Sequence, residues 1–416
     1  MRLHPAVSLA SFCVTLACSE PPAAEDADVR ADASIDDDAG ARDGGREDSG
    51  LEDGGGDAGG GVDGGTSRAP LRLFTIDLGD HPNAVCSDGS PGAFHMRLGS
   101  GANADRWVFW FKGGGYCYEE EACRRRATDR ETVSSVGLPE MRSEGGILSD
   151  DPAENPDFHD WTHVRMSYCS SDRWAGQRMD SAFEGLFSGD PTRPFYFRGR
   201  FIVDAILATL SERRAGMPSL SDATDVILTG SSGGAHGLRS NLDRVAELLG
   251  RNGTSVRGLN DAGIDGYLEA SVQATEDEIL RGAYPVWQPF ADASCRTVHT
   301  SEPWRCLDPN LLLTEGHFET PVFYVTDQLD PTRLFGTLGY DRGDTAAIEA
   351  FGRGLRERLA MHATGAFAPR AGDHVIVTTG RFGGPGATRI EGRSLAEAFG
   401  DWYFERPGET VLIEAP

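Results

Sequence analysis

Lysine is almost absent: of the 39 basic residues, only Lys112 is not arginine. Acidic residues number 65, giving a formal net charge of −26 over 416 residues. A surface of that sign repels phosphate, which argues against a nucleic-acid partner. No apolar run is long enough to cross a bilayer as a helix. The eight cysteines contain no C-x-x-C pair, which argues against zinc. No internal repeat is visible. From Ser19 to Arg68 there is no aromatic residue at all, against 15 acidic residues, 12 glycines and four arginines. Such a stretch has too few apolar groups to offset its chain entropy. It also lacks the fixed ligand spacing of a calcium loop. It reads as a disordered acidic tether.

What precedes the tether reads as an export signal over residues 1–18. Arg2 is followed by a short apolar run through Val7, Leu9, Phe12, Val14 and Leu16. Thr15-Leu16-Ala17-Cys18 resembles a bacterial lipobox, with Thr15 where leucine is usual. Lipidation of Cys18 is therefore expected, with ordinary signal cleavage as the alternative. The expected location is outside the cytoplasm, anchored at a bacterial outer membrane or secreted. Any membrane contact would run through that lipid.

Residues 69–416 hold all seven tryptophans and are long enough for a large core. Six cysteines fall there, an even number that suggests disulfides in an exported domain. Short spacings favour Cys117 with Cys123 and Cys295 with Cys306, which leaves Cys86 for Cys169. Apolar runs at 107–111, 164–168, 226–229 and 322–325 read as buried parallel strands. Helical spacing recurs at 201–210, 238–249, 345–361 and 395–404. Alternating strands and helices predict an α/β fold with a mostly parallel central sheet flanked by helices. Long loops near 130–160 and 282–320 are placed to build a site.

The most informative segment is Gly230-Ser231-Ser232-Gly233-Gly234, a G-x-S-x-G match between a strand and a helical pattern. A sharp strand-to-helix turn needs glycine beside its apex and exposes the serine above the sheet. Ser232 is the expected nucleophile, and Ser231 the neighbouring rival. The helix that follows offers amide donors and a favourable dipole to a developing oxyanion. Strand 107–111 runs into Lys112-Gly113-Gly114-Gly115-Tyr116, like the glycine loops of esterases. Gly114, Gly115 and Gly233 are the expected oxyanion-hole donors.

A serine nucleophile needs a base and an orienting carboxylate, in the order serine, acid, histidine. His374, on a late loop after Ala371-Gly372-Asp373, is the expected base. His236 lies one helical turn past Ser232, where it would line the pocket or pack. Asp327 and Asp330 both follow strand 322–325, and spacing does not choose between them.

In this order the motifs resemble the pectin acetylesterase/Notum family. The resemblance rests on Cys86-Ser87-Asp88-Gly89-Ser90-Pro91, Phe111–Cys117, Tyr168-Cys169-Ser170-Ser171-Asp172, the Ser232 motif and Val256–Gly263. It covers roughly residues 80–380. It implies an α/β-hydrolase-like secreted serine esterase that needs no metal or organic cofactor. It selects Ser232, His374 and Asp330, with Asp327 as the alternative acid. Family members often carry tryptophan at the position of Gly115, so the pocket wall here is expected to be more open. The implied substrate is an O-acetylated polysaccharide, or a fatty acyl group on a protein as in Notum. Rival readings are a surface-anchored carbohydrate-binding protein with a vestigial site, and a protease or amidase with the same triad.

Overall fold

The computed structural model describes residues 69–416; the export signal, Cys18 and the acidic tether lie outside the described residues. In chain order the elements begin with β1 (Leu71–Thr75), β2 (Ala93–Arg97), β3 (Arg106–Phe111), α1 (Glu120–Arg126) and α2 (Arg130–Val133). Then come β4 (Met141–Arg142), β5 (Thr162–Met166), a ribbon of β6 (Phe183–Glu184) and β7 (Pro194–Phe195), and α3 (Gly199–Ser211). The second half holds β8 (Asp225–Ser231), α4 (Gly233–Gly250), β9 (Ser255–Asp261), α5 (Ala270–Trp287), α6 (Ala293–Val298) and α7 (Pro309–Thr314). It closes with β10 (Val322–Val325), α8 (Thr345–His362), β11 (Ala366–Ala368), a ribbon of β12 (Arg389–Ile390) and β13 (Arg393–Ser394), α9 (Leu395–Tyr403) and β14 (Val411–Ile413).

Ten strands form one sheet in the order β14-β11-β10-β9-β8-β3-β5-β2-β1-β4. From β14 to β5 every pairing is parallel. β2, β1 and β4 extend that edge by antiparallel pairing. The four predicted strands lie in the parallel block, and the four predicted helices are α3, α4, α8 and α9. Strand β5 ends at Met166, earlier than the apolar run suggested. Tyr168 has left the sheet, and its hydroxyl donates to Gly115 O at 2.9 Å.

Alternation explains why β3 is apolar throughout. Trp107, Phe109 and Phe111 face one core, while Val108 and Trp110 face another. The first core is covered by Ile202, Ile206 and Leu210 of α3, Leu238 and Leu242 of α4, and Leu355 and Leu359 of α8. The second is covered by Leu395, Phe399 and Trp402 of α9 with Phe158 and Trp161. A sheet buried on both faces needs continuous apolar strands, and that is the pattern in the sequence.

A third cluster is built from segments outside the ten-stranded sheet, β7, α5 and α7 among them. It joins Phe187, Phe195 and Phe197 to Leu280, Trp287, Trp304 and Leu312. The segment 282–320, expected as a loop, here contains the end of α5 with α6 and α7. α6 and α7 have six residues each, too few for hydrophobic periodicity to give a signal.

Among the described residues the three disulfides are Cys86–Cys169, Cys117–Cys123 and Cys295–Cys306, the pairing that spacing favoured. Cys86–Cys169 closes the longest loop, 83 residues apart in sequence. In chain-entropy terms a loop of that size contributes about 4–5 kcal/mol. Among the described residues no helix is long and apolar enough to cross a membrane.

Candidate active site

Ser232 stands between β8 and α4 with φ 54° and ψ −123°, a strained backbone for a residue with a Cβ. The turn is tight because the two glycines flanking it approach other backbone. A Cβ on Gly230 would collide with Gly234 O, and one on Gly234 with Phe111 O. The strain lifts Ser232 to the N-terminus of an 18-residue helix, where the dipole and unsatisfied amides favour negative charge.

Beside that terminus runs the glycine loop after β3. Gly114 and Gly115 take φ of 132° and 62°, which only glycine adopts freely. The carbonyl of Gly114 accepts from Arg126 Nη2 at 2.6 Å, and that of Gly115 from Tyr168 Oη at 2.9 Å. In a trans peptide the following N–H points the opposite way, so anchoring Gly114 O also orients the Gly115 amide. A Cβ on Gly233 would lie 3.5 Å from Gly115 N and 3.7 Å from Gly114 N. The three glycines singled out in the sequence are thus neighbours.

Asp330 and His374 also meet. His374 Nδ1 lies 2.7 Å from Asp330 Oδ2. Asp330 is buried, while the His374 side chain is about a fifth exposed. Asp327, the alternative acid, does something else. Its Oδ1 accepts from Leu329 N, and its Oδ2 accepts from Ala371 N at 3.0 Å and Asp373 N at 3.1 Å. It fastens the turn that leads into His374. Burial pushes its carboxyl up to about 6, against these amide bonds.

Sequence reasoning assigned no role to Asp261, the last residue of β9. Its Oδ2 accepts from Ser231 Oγ at 2.8 Å and from Ile376 N and Val377 N at 3.2 Å. Its backbone carbonyl accepts from Ser232 N at 2.9 Å. One buried carboxylate therefore ties the serine turn to the strip two residues beyond His374. Burial raises its carboxyl to about 6. Ser231 points into this network and also accepts from Trp110 Nε1 at 3.2 Å. The available signal was Asn260-Asp261 within the Val256–Gly263 motif.

His236 lines a cavity with Arg173, Asp265, Glu276, Asp308 and Arg333. Burial, then Arg173 and Arg239, hold its imidazole well below its ordinary pKa, so it stays neutral. Arg333 is paired with Asp265 at 2.7 Å and Glu276 at 2.9 Å. Arg173 lies 3.7 Å over the ring of Tyr116. Leu268, Leu280 and Pro309 are the cavity's apolar lining, and an adjoining cavity that shares Arg173 and His236 is walled by Ala175, Trp287, Leu307 and Leu312.

The profile of a family described as pectinacetylesterase matches residues 66–416. The palmitoleoyl-protein carboxylesterase Notum of Drosophila melanogaster is 32% identical over 228 residues, covering 53% of this chain and 32% of the fly protein. Pectin acetylesterase 4 of Arabidopsis thaliana is 28% identical over 363 residues, covering 80% of this chain and 83% of the plant protein. The chain thus spans about a third of the length of the fly relative. A crystal structure of the Wnt deacylase Notum from Drosophila matches with a TM-score of 0.71 at 27% identity, over 83% of this chain and 97% of that one. On the strength of the profile match across most of its length, this chain belongs to the pectinacetylesterase family.

Proposed function

We propose that the protein is a serine carboxylesterase that removes O-acetyl groups from a polysaccharide. Ser232 is the nucleophile, His374 the base and Asp330 the acid that orients it. The observation that carries this reading is the 2.7 Å contact of His374 Nδ1 with Asp330 Oδ2, on loops that follow strands of the same sheet whose β8 leads into the strained Ser232. With Nδ1–H donated to Asp330, the neutral imidazole keeps its Nε2 lone pair for the Ser232 proton. Ser232 attacks the ester carbonyl, and the amides of Gly114, Gly115 and Gly233 receive the oxyanion. His374 passes its proton to the departing sugar oxygen, then activates the water that releases acetate.

An acetyl group is favoured by the description of the matching family, pectinacetylesterase. The sugar side is favoured by the plant relative's name. The Arg124-Arg125-Arg126 run offers little net positive charge to a polyanion. Arg124 and Arg125 pair with Glu120 and Glu121, and Arg126 turns inward to Gly114 O.

A second reading, release of a fatty acyl group from a protein, is supported by the Notum relatives. The two separate in one experiment: p-nitrophenyl esters of increasing chain length alongside acetylated polysaccharides, scored by acid release. The acetyl reading expects the C2 ester and the polysaccharide to be turned over best. Preference for esters beyond C8 would replace it with the second. The proposed setting is outside the cytoplasm, where three disulfides persist. Residues 19–68 would there tether the esterase unit, 69–416, to a lipid on Cys18.

A further inference from the structure

Far along the chain from the Ser232 turn, α6 and the segment after α7 bring three polar side chains together. His299 follows α6, and Glu315 and His317 follow α7. His299 Nε2 lies 2.8 Å from Glu315 Oε2, and His317 Nε2 lies 3.0 Å from the same oxygen. His317 is buried and the His299 side chain is 13% exposed, while Glu315 reaches the surface.

Counting hydrogens makes this arrangement informative. Ser294 Oγ lies 2.7 Å from Asp292 Oδ1 and 2.9 Å from His317 Nδ1. The Asp292 carboxylate takes the one hydroxyl hydrogen, so Ser294 accepts from His317 Nδ1–H. A neutral His317 then turns a bare Nε2 lone pair toward a carboxylate oxygen. Two lone pairs at 3.0 Å repel unless a cation lies between them, either a second proton on His317 or a metal ion. His299 brings a second imidazole nitrogen to the same oxygen. Two imidazoles and a carboxylate are a familiar ligand set for zinc. The Asp292–Ser294–His317 relay is the outer support that metal-bound histidines ordinarily have.

We propose that His299, His317 and Glu315 bind a divalent transition metal, zinc foremost. Bonds of about 2.0–2.1 Å at tetrahedral angles place ligand atoms about 3.3 Å apart. The two nitrogen–oxygen separations need to open by a few tenths of an ångström, and the two imidazoles, with ring centres 6.3 Å apart, need to swing toward each other around the ion. The exposed side of Glu315 leaves room for water as a further ligand. Cys295 Sγ lies within 4.8 Å of one nitrogen of each histidine, but its disulfide to Cys306 keeps it out of the set. The metal would fasten α6 to the end of α7, within the lobe that the disulfide already staples. It would take no part in ester cleavage.

The test uses the full chain without an affinity tag, stripped with EDTA and titrated with zinc against a chromogenic chelator. Bound metal is counted by mass spectrometry. One zinc per chain is expected, with a dissociation constant of about 1 µM or tighter. Affinity should fall at least about tenfold in His299→Ala and Glu315→Gln, and by a similar factor in Ser294→Ala. Ser232→Ala should bind zinc like the wild type. Zinc should raise the melting temperature of the wild type but not of His299→Ala. Should His317→Ala fail to fold, the two surface-side variants carry the test. No zinc retained at micromolar concentration, or equal uptake by a His299→Ala/Glu315→Gln double variant, would overturn the proposal. The cluster would then be a protonated imidazole–carboxylate pair only.

Discussion

His374 Nδ1 and Asp330 Oδ2 lie 2.7 Å apart, although 44 residues separate them in sequence. The contact forms because both residues follow strands of one parallel block, Asp330 after β10 and His374 after the adjacent β11. Parallel neighbours end at the same edge of a sheet, so loops distant in sequence meet there.

This pairing separates the two candidate aspartates by experiment. Asp330→Asn should lower kcat by about 10³–10⁴ with little change in melting temperature. The amide keeps the volume but presents the wrong tautomer to His374. Asp327→Asn should instead cost about 1–3 kcal/mol of stability, because its carboxylate holds two amides of the 371–373 turn. Its kcat should fall far less. Steady-state kinetics and thermal melts on both variants make the comparison, and equal kcat losses would reject the division of roles.

Ser231 and Ser232 should part company in the same way. Ser231→Ala removes the hydroxyl shared by Asp261 and Trp110, leaving buried polar groups short of a partner. A loss of about 1–3 kcal/mol is expected in urea unfolding. Esterase turnover should stay within a few-fold of the wild type. Abolished turnover in a folded Ser231→Ala protein would move the nucleophile.

The serine turn should not tolerate alanine at its flanks. Gly230→Ala and Gly234→Ala each drive a Cβ into backbone that cannot move aside. Destabilisation of about 3 kcal/mol or more is expected for each, read from denaturant midpoints. Gly250, at the other end of α4, has open space around it. Gly250→Ala should be neutral or stabilising.

Acid stability should carry the mark of His163. Its Nε2–H donates to Phe158 O at 2.8 Å and its Nδ1 faces Arg97, so the ring is held neutral. Burial, then Arg97, pushes its pKa down from 6.5 to about 3. Between those values the unfolded chain binds a proton that the folded chain refuses. The stabilisation is therefore present above pH 6.5 and lost as the pH falls. His163→Gln carries no such proton. The stability of the wild type relative to this variant should drop by up to about 1.4 kcal/mol per unit from pH 6.5 toward 4. A pH-independent difference would mean that the folded protein protonates His163.

What the sequence revealed, and what it hid, follows from the range of each signal. The Ser232 turn was legible because strand, glycines and helix are contiguous. The parallel core strands were legible because burial on both faces leaves an unbroken apolar run, as in Trp107–Phe111. The antiparallel edge was not legible: β1 and β4 are half-exposed and short, so Leu71–Thr75 shows no run. Asp327 and Asp330 looked alike because their difference lies in partners at residues 371–374. Asp261 and Arg126 act through contacts with segments distant in sequence, which no local pattern records. The tether and Cys18 lie outside the described residues, and their reading rests on composition and the lipobox alone.

The central claim is that Ser232 is an activated nucleophile. Its most direct measurement is labelling with a fluorophosphonate probe, located by peptide mass spectrometry and compared with p-nitrophenyl acetate turnover in Ser232→Ala. The account predicts one label, on Ser232, with label and at least about 10⁴-fold of kcat lost in the variant. Undiminished turnover in Ser232→Ala, or a label on another serine, would contradict it.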